Sequence, residues 1–245
     1  MAVAAWPIFE SALIGREMVA RQTMTFRWEK PDGWDYRAGQ FIDITLDDPP
    51  ETDSEGDTRG FSISAAPIEG VIAITTRLRD TAFKRVLQTL PLGTTMKLEG
   101  PFGDFQLHNA ARPAVLLAGG IGVTPFRSML VQAIRGGTLP YPVVLFHANR
   151  RPEDAAFADE MRELEAADPR FRFVPTMTAL QSTDTRWDGE TGHIDAAMLQ
   201  RHLTAIEAPI YYMAGPPGMV QGMREQLLAS GIDEDDLRSE AFTGY

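Results

Sequence analysis

Residues Leu116 to Leu130 read LLAGGIGVTPFRSML: an apolar run, a turn holding Gly119, Gly120 and Gly122, then Thr124 and Pro125 where a helical pattern begins. Residues without side chains ahead of a helix expose backbone N–H groups, which together with the helix dipole favour an anion such as a pyrophosphate. The same turn also reads as a plain link between strand and helix, because a glycine-rich turn takes its meaning from its context. Thr124 suits an N-cap, Pro125 the first helical residue and Gly136 the stop signal. In RGFSIS, Arg59 to Ser64, strand alternation puts Arg59 and Phe61 on one face and Ser62 on the other. In RDTAFKRVL, Thr81 is a candidate N-cap with Lys84 in the first turn, which is either a second phosphate seat or an ordinary capped helix.

Two kinds of scaffold would have to position these groups. From Ile8 to about Leu107, short alternating runs (TMTFRWE, FIDITL, GFSIS, VIAITTRL, MKLEG) are broken by Gly and Pro, as expected of a compact antiparallel sheet or barrel. One helix, TAFKRVLQTL, interrupts them. The acidic stretch DDPPETDSEGD, Asp47 to Asp57, has little to bury and is expected as an exposed loop.

After Pro113 the period changes. Apolar strands near VLLAGG, PVVLFHA, FRFVPTM, PIYYMAG and SEAF alternate with helical segments, the pattern of a doubly wound parallel α/β sheet. A helix is expected from Glu153, with Phe157, Met161 and Leu164 on its core stripe. The boundary falls near residues 108–113, giving domains of residues 1–110 and 111–245. In such a sheet ligands bind at the carboxyl ends of the strands. Both the Gly119–Thr124 turn and the Ala214–Gly218 turn fall there.

The chain has 245 residues, 44% of them hydrophobic and 23% charged, enough for two ordinary cores. It shows no membrane-spanning run and no secretory leader pattern, so a cytoplasmic location is the expectation. Thirty-four acidic residues against 23 Lys and Arg give a net charge of −11, which argues against nucleic acid or anionic membranes as partners. There is no cysteine, which excludes disulfides, thiol catalysis and a cysteine-held iron–sulfur cluster within the chain. His108, His147, His193 and His202 have no metal-binding spacing, and no metal is expected.

Five motifs in order, RGFS, GPFGDF at Gly100 to Phe105, GGIGVTP, MAGPPGM at Met213 to Met219, and the closing EAFTGY, resemble the ferredoxin–NADP reductase family of flavoproteins. The resemblance implies an N-terminal FAD-binding β-barrel followed by an NAD(P)-binding α/β domain. It implies an enzyme that passes hydride from NADH or NADPH to FAD, and electrons onward to a separate acceptor such as a ferredoxin or an oxygenase component. A flavodoxin, a quinone or free flavin is the alternative acceptor, and a non-catalytic nucleotide-binding subunit the alternative role.

Carried over residue by residue, Arg59 resembles the arginine that pairs with flavin phosphate, with Gly60 beside it. Phe61 stands where the family has a tyrosine stacked on the isoalloxazine, and Ser62 resembles the serine near flavin N5. Ile74 and Thr75 on the neighbouring strand, and Thr81 with Lys84, complete the flavin set. Gly120, Gly122 and Thr124 resemble the dinucleotide pyrophosphate loop. Gly215, Pro216 and Met219 resemble the turn that carries nicotinamide, with Ala214 in place of the family's cysteine. Thr176 and Thr178 replace the Ser-Arg pair of NADP-preferring relatives, which favours NADH, although Arg150 and Arg151 offer another seat for a 2′-phosphate. At the end of the chain, Glu240 and Phe242 match the acid and the aromatic that covers the flavin, with Tyr245 as a rival ring.

Overall fold

The computed structural model describes residues 7–180 and 187–242. The first sheet contains β1 (Ile8–Ala20), β2 (Thr23–Glu29), β3 (Phe41–Thr45), β4 (Thr58–Ser62), β5 (Val71–Arg77) and β6 (Thr95–Phe102), with α1 (Ala82–Thr89) between the last two. Its order is β4-β3-β6-β1-β2-β5, and all its pairings are antiparallel. The two edges meet where Ile63 bridges Ile74 and Ser64 N donates to Ala73 O at 2.8 Å, closing the sheet into a barrel. Alternation drives this arrangement: Ile42, Ile44, Ile72, Ile74, Phe26 and Trp28 turn inward and are fully buried.

The second sheet contains β7 (Ala114–Gly119), β8 (Val143–Asn149), β9 (Phe171–Met177), β10 (Glu190–Thr191), β11 (Ile210–Gly215) and β12 (Leu237–Ala241). Its order is β10-β9-β8-β7-β11-β12, with every pairing parallel. The strands are apolar on both faces because helices cover both. Leu116 and Ala118 of β7 pack in the cluster that holds Phe126 and Met129 of α2 (Val123–Arg135) and Met161 of α3 (Ala158–Ala167). Val115 and Leu117 pack instead with Met198 of α4 (Ala196–His202) and Val220 and Met223 of α5 (Pro217–Ala229). From β7 the chain winds outward through β8, β9 and β10, then returns to β11 on the other side. The switch point therefore lies between the ends of β7 and β11, where both glycine turns emerge.

Two expectations about helix starts need correction. Helix α2 begins at Val123 with Gly122 as its cap residue, while Thr124 sits inside the first turn and donates its hydroxyl to Ile121 O at 3.0 Å. The helix expected from Glu153 is split: Pro152–Asp154 form a single 3-10 turn, Phe157 takes a left-handed conformation (φ 63°), and α3 starts only at Ala158. The cause is tertiary. Asp154 is 2% exposed and is pulled across to the barrel, where Arg21 Nε and Nη2 donate to its two carboxylate oxygens at 2.8 and 3.1 Å and Arg77 Nη2 donates to its backbone carbonyl at 3.3 Å. The acidic stretch is the exposed loop expected, with none of residues 47–57 buried, although Asp53 reaches the start of α1.

A second polar junction ties the two halves. Arg127 of α2 donates to Glu69 and Glu160 carboxylates at 2.7–3.0 Å and to Ser64 O at 2.7 Å, and Ser128 Oγ donates to Ala65 O at 2.6 Å. Arg127 is a helix residue bound to the barrel side at Glu69 and to α3 at Glu160, so one guanidinium fixes three elements.

Candidate functional site

Two clefts meet between the sheets. The first, about 360 Å³, is lined by Phe41, Gly60, Phe61, Ser62, Thr75, Thr76, Arg77 and Lys84 from the barrel side. Ile121, Thr124, Glu240, Ala241 and Phe242 complete it from the α/β side. Strand β4 presents Gly60 to Ser62 here, and β12 ends with Glu240 on the opposite wall. Phe242 is held by its N–H, which donates to Gly215 O at 3.0 Å.

The polar centre of this cleft is Ser62 with Glu240. Ser62 Oγ and Glu240 Oε2 are both buried and neither has a hydrogen-bond partner. Burial pushes the Glu240 carboxyl up to about 7, and Asp104 nearby adds to the rise. The Ser62 hydroxyl lies near enough to draw it partly back, but does not form a hydrogen bond of normal geometry. Two buried polar atoms left open toward one cavity are costly to a folded protein unless something else satisfies them. Burial also lowers the Lys84 ammonium to about 8, assisted by the positive charges of Arg79 and Arg59. An anion bound here would relieve that.

The second cleft, about 480 Å³, is lined by Gly119, Gly120, Ile121, Pro216 and Met219 at the switch point, with Ala148, Asn149, Arg150, Thr178 and His193 at its distal end. Arg21, Arg77 and Arg79 close it from the barrel side. Arg77 and Ile121 line both clefts, which makes them continuous.

The glycines divide by task. A Cβ on Gly122 would stand 2.2 Å from Ala214 O, and one on Gly119 would stand 2.2 Å from Met219 Sδ. These two are small so that the β7 and β11 turns can pack together. Gly120 differs: its φ is +53°, and a Cβ there would meet nothing within 4 Å. His147, fully buried at the end of β8, bonds through Nε2 to Gly120 O at 2.8 Å and so holds that residue from below.

Most of the residues singled out from sequence converge here, but Ile74, Thr176, Arg59, Thr81 and Arg151 line neither cleft, nor do the packing glycines Gly122 and Gly215. Ile74 is fully buried in the barrel core, because alternation along β5 turns Thr75 rather than Ile74 to the cleft. Thr176 is also fully buried, its hydroxyl donated to Gly192 O at 2.7 Å, and Thr178 lines the cleft instead. Arg59 and Thr81 lie beside the first cleft rather than in its wall. Thr81 Oγ1 caps α1 by accepting from Lys84 N at 3.4 Å. Arg150 lines the second cleft, whereas Arg151 faces Glu153 at 3.9 Å. Tyr245 lies outside the described residues. Sequence reasoning passed over Arg77, Asn149 and Asp53. Arg77 could have been found as a cation at the open end of a barrel strand; nothing local marks the other two.

Residues 116–225 match the model of the oxidoreductase NAD-binding domain family. Over 210 residues, 84% of this chain and 59% of the relative, the chain is 27% identical to terephthalate 1,2-dioxygenase reductase component 2 of Comamonas sp. The segment from 116 to 225 thus resembles an oxidoreductase NAD-binding domain. Another relative in sequence is a flavohemoprotein of Burkholderia sp. (strain TH2), 28% identical over 98% of this chain and 61% of the relative. The chain thus spans about three fifths of the length of these curated relatives. In fold, the chain matches the flavohem-like FAD/NAD binding domain of nitric oxide dioxygenase from Vibrio cholerae, with a TM-score of 0.79 at 23% identity over 95% of this chain and 98% of that one. It also matches a ferredoxin NADP+ reductase from Neisseria gonorrhoeae, with a TM-score of 0.76 at 21% identity over 96% of this chain and 98% of that one.

Proposed function

We propose that the protein is an FAD-dependent NAD(P)H reductase that passes electrons to a separate acceptor. The observation that carries this is the pairing of Ser62 and Glu240: two buried, unpartnered polar atoms, one from each half, facing one cavity. FAD fits the residues present. The cavity offers the Phe61 and Phe242 rings as walls, with Lys84 at one end, while Arg59 and the start of α1 already hold a carboxylate in the manner of a phosphate. Bound there, FAD would supply a carrier that takes up a hydride and gives its electrons up singly.

The chain's own contributions follow from where its groups sit. Ser62 Oγ offers a hydroxyl donor in a dry pocket, where a directed hydrogen bond acts more strongly than in water. Glu240, titrating near 7, can hold a proton at Oε2 or release it under physiological conditions. Arg77 spans both clefts and would hold the coenzyme diphosphate against the exposed N–H groups ahead of α2, with Gly120 allowing close approach. Phe242 would cover the inner cleft and exclude water from it until nicotinamide takes its place.

NADH is the proposed coenzyme. Thr178 lines the distal cleft where NADP-preferring relatives carry charge, and Arg150 is the cation there that would decide otherwise. The acceptor is proposed to be a small redox protein or an oxygenase component, since these 245 residues contain no cysteine for a cluster of their own and relatives include reductase components of oxygenases. The purified protein is expected to be yellow, to release about one FAD per chain on denaturation, and to bleach when NADH is added without air. A colourless protein, or one that releases FMN, would overturn the reading.

A further inference from the structure

The sequence offers two cationic features for a flavin phosphate, Arg59 and the start of α1, and the structure shows both engaged by one residue. Asp53 Oδ1 accepts from Arg59 Nη2 at 2.9 Å and from Glu55 N at 3.0 Å, while Oδ2 accepts from Ala82 N, the first N–H of α1, at 3.1 Å. The acid and the helix start are 29 residues apart in the chain. The rest of the loop between β3 and β4 follows the same course. Arg59 Nη1 donates to the carbonyls of Glu55, Gly56 and Thr58 at 2.8–2.9 Å, and Glu55 Oε2 stands 3.0 Å from Arg59 Nη2. Glu51 accepts from Arg85 of α1 at 2.9 and 2.6 Å. The side chains of Arg59 and Asp53 are 18% and 29% exposed, so this contact is partly desolvated and not a loose surface pair.

A carboxylate bridging a guanidinium and a helix-start N–H satisfies the donors a phosphate would satisfy, with the same charge sign and acceptor geometry. The neighbouring cation is treated differently. Lys84 lines the open cleft, and among the described residues its ammonium has no ion-pair partner. The seat is thus half filled from within and half left open.

We propose that Asp53 is an affinity-setting residue for the flavin nucleotide: its carboxylate holds the phosphate seat in the flavin-free protein and is displaced when flavin binds. This rests on the flavoprotein reading above. It follows that flavin pays for two exchanges at once, release of Asp53 from Arg59 and release of Asp53 from α1, and that the protein keeps an ordered seat when empty. The β3–β4 loop swings outward with the acid, while Arg59 turns from the loop carbonyls to the ligand.

The test is equilibrium titration of flavin-free protein with FAD, read by flavin fluorescence, for wild type, Asp53→Asn, Asp53→Ala and Arg59→Ala. Thermal melts without flavin check that each variant folds. Asp53→Asn should bind FAD about tenfold more tightly than wild type, equivalent to about 1.4 kcal/mol, with Asp53→Ala shifted in the same direction. FAD should also raise the melting temperature of the Asp53 variants by more than it raises that of wild type. If Arg59→Ala weakens FAD binding but the Asp53 variants bind as wild type does or more weakly, the displacement proposal is overturned while the flavoprotein reading stands. If no protein in the series binds FAD, both fall, and Asp53 is the permanent occupant of the seat.

Discussion

The chain uses the start of a helix twice, and treats the two starts in opposite ways. At α1 the first N–H is taken by Asp53 and the nearby Arg59 is tied to the same loop. At α2 the turn is bare: Gly120 faces the cleft at positive φ, Gly122 caps without a side chain, and Arg77 and Arg79 stand across the opening. A cofactor that stays bound and a coenzyme that comes and goes make different demands. The first seat is kept ordered by an internal surrogate, whereas the second is kept open by a packed set of glycines.

The largest effect should come from separating the glycine roles. Gly122→Ala forces a Cβ onto Ala214 O and should cost about 3 kcal/mol of stability, read as a lower urea midpoint. Gly120→Ala places its methyl in open space and pays only the left-handed backbone, about 1 kcal/mol; its main effect should be a raised KM for NADH. Equal destabilisation by both would erase the distinction between packing and ligand-facing glycines. Next in size, Arg59→Ala should weaken FAD by about one to two decades, the scale of a charge-assisted contact of roughly 1.5–3 kcal/mol, with little change in NADH affinity. A loss confined to NADH would mean the two seats have been exchanged.

Glu240 sits on the α/β side of the first cleft. Its folded pKa is raised above that of the unfolded chain, so between about 4.5 and about 7 the folded state holds a proton the unfolded state has lost. Its contribution to stability is therefore fully present below about 4.5, declines as pH rises toward about 7, and is level above. Glu240→Gln should remove that slope from the melting curve of the flavin-free protein, and should remove any inflection near neutral pH from anaerobic flavin reduction. The smallest effect is expected for Phe242→Ala, which should tighten NADH and NADPH by a few-fold, about 1 kcal/mol or less, without loss of flavin. If only Tyr245→Ala changes coenzyme binding, the covering ring has been misassigned.

The change from period-two strands to alternating strands and helices was legible because burial follows side-chain direction: Val115 and Leu117 face one helical layer, Leu116 and Ala118 the other. RGFS and GGIGVTP were legible because they need particular residue types at fixed spacing. What escaped was set by contacts between distant segments. Asp154 leaves the expected helix because Arg21 and Arg77 bind it from the barrel. Asp53 looked like one acid among many, and only the fold shows that α1 starts beside it. Thr124 has the chemistry of a cap, but Gly122 takes that position because the β7 and β11 turns leave no room for a side chain. Ile74 and Thr75 are neighbours with opposite destinations, decided by the register of β5 against β2.

The Asp154 junction also governs distance. Its carboxylate is almost completely buried and joins a loop beside the coenzyme cleft to Arg21 and to Arg77, and Arg77 lines both clefts. Arg127 clamps the far side of the same boundary, so in the proposed reductase these contacts would set the gap between the two nucleotides. Such a reductase, as proposed, would work like a caliper locked at one setting, its transfer step indifferent to solvent viscosity, with timing left to the entry and exit of its ligands.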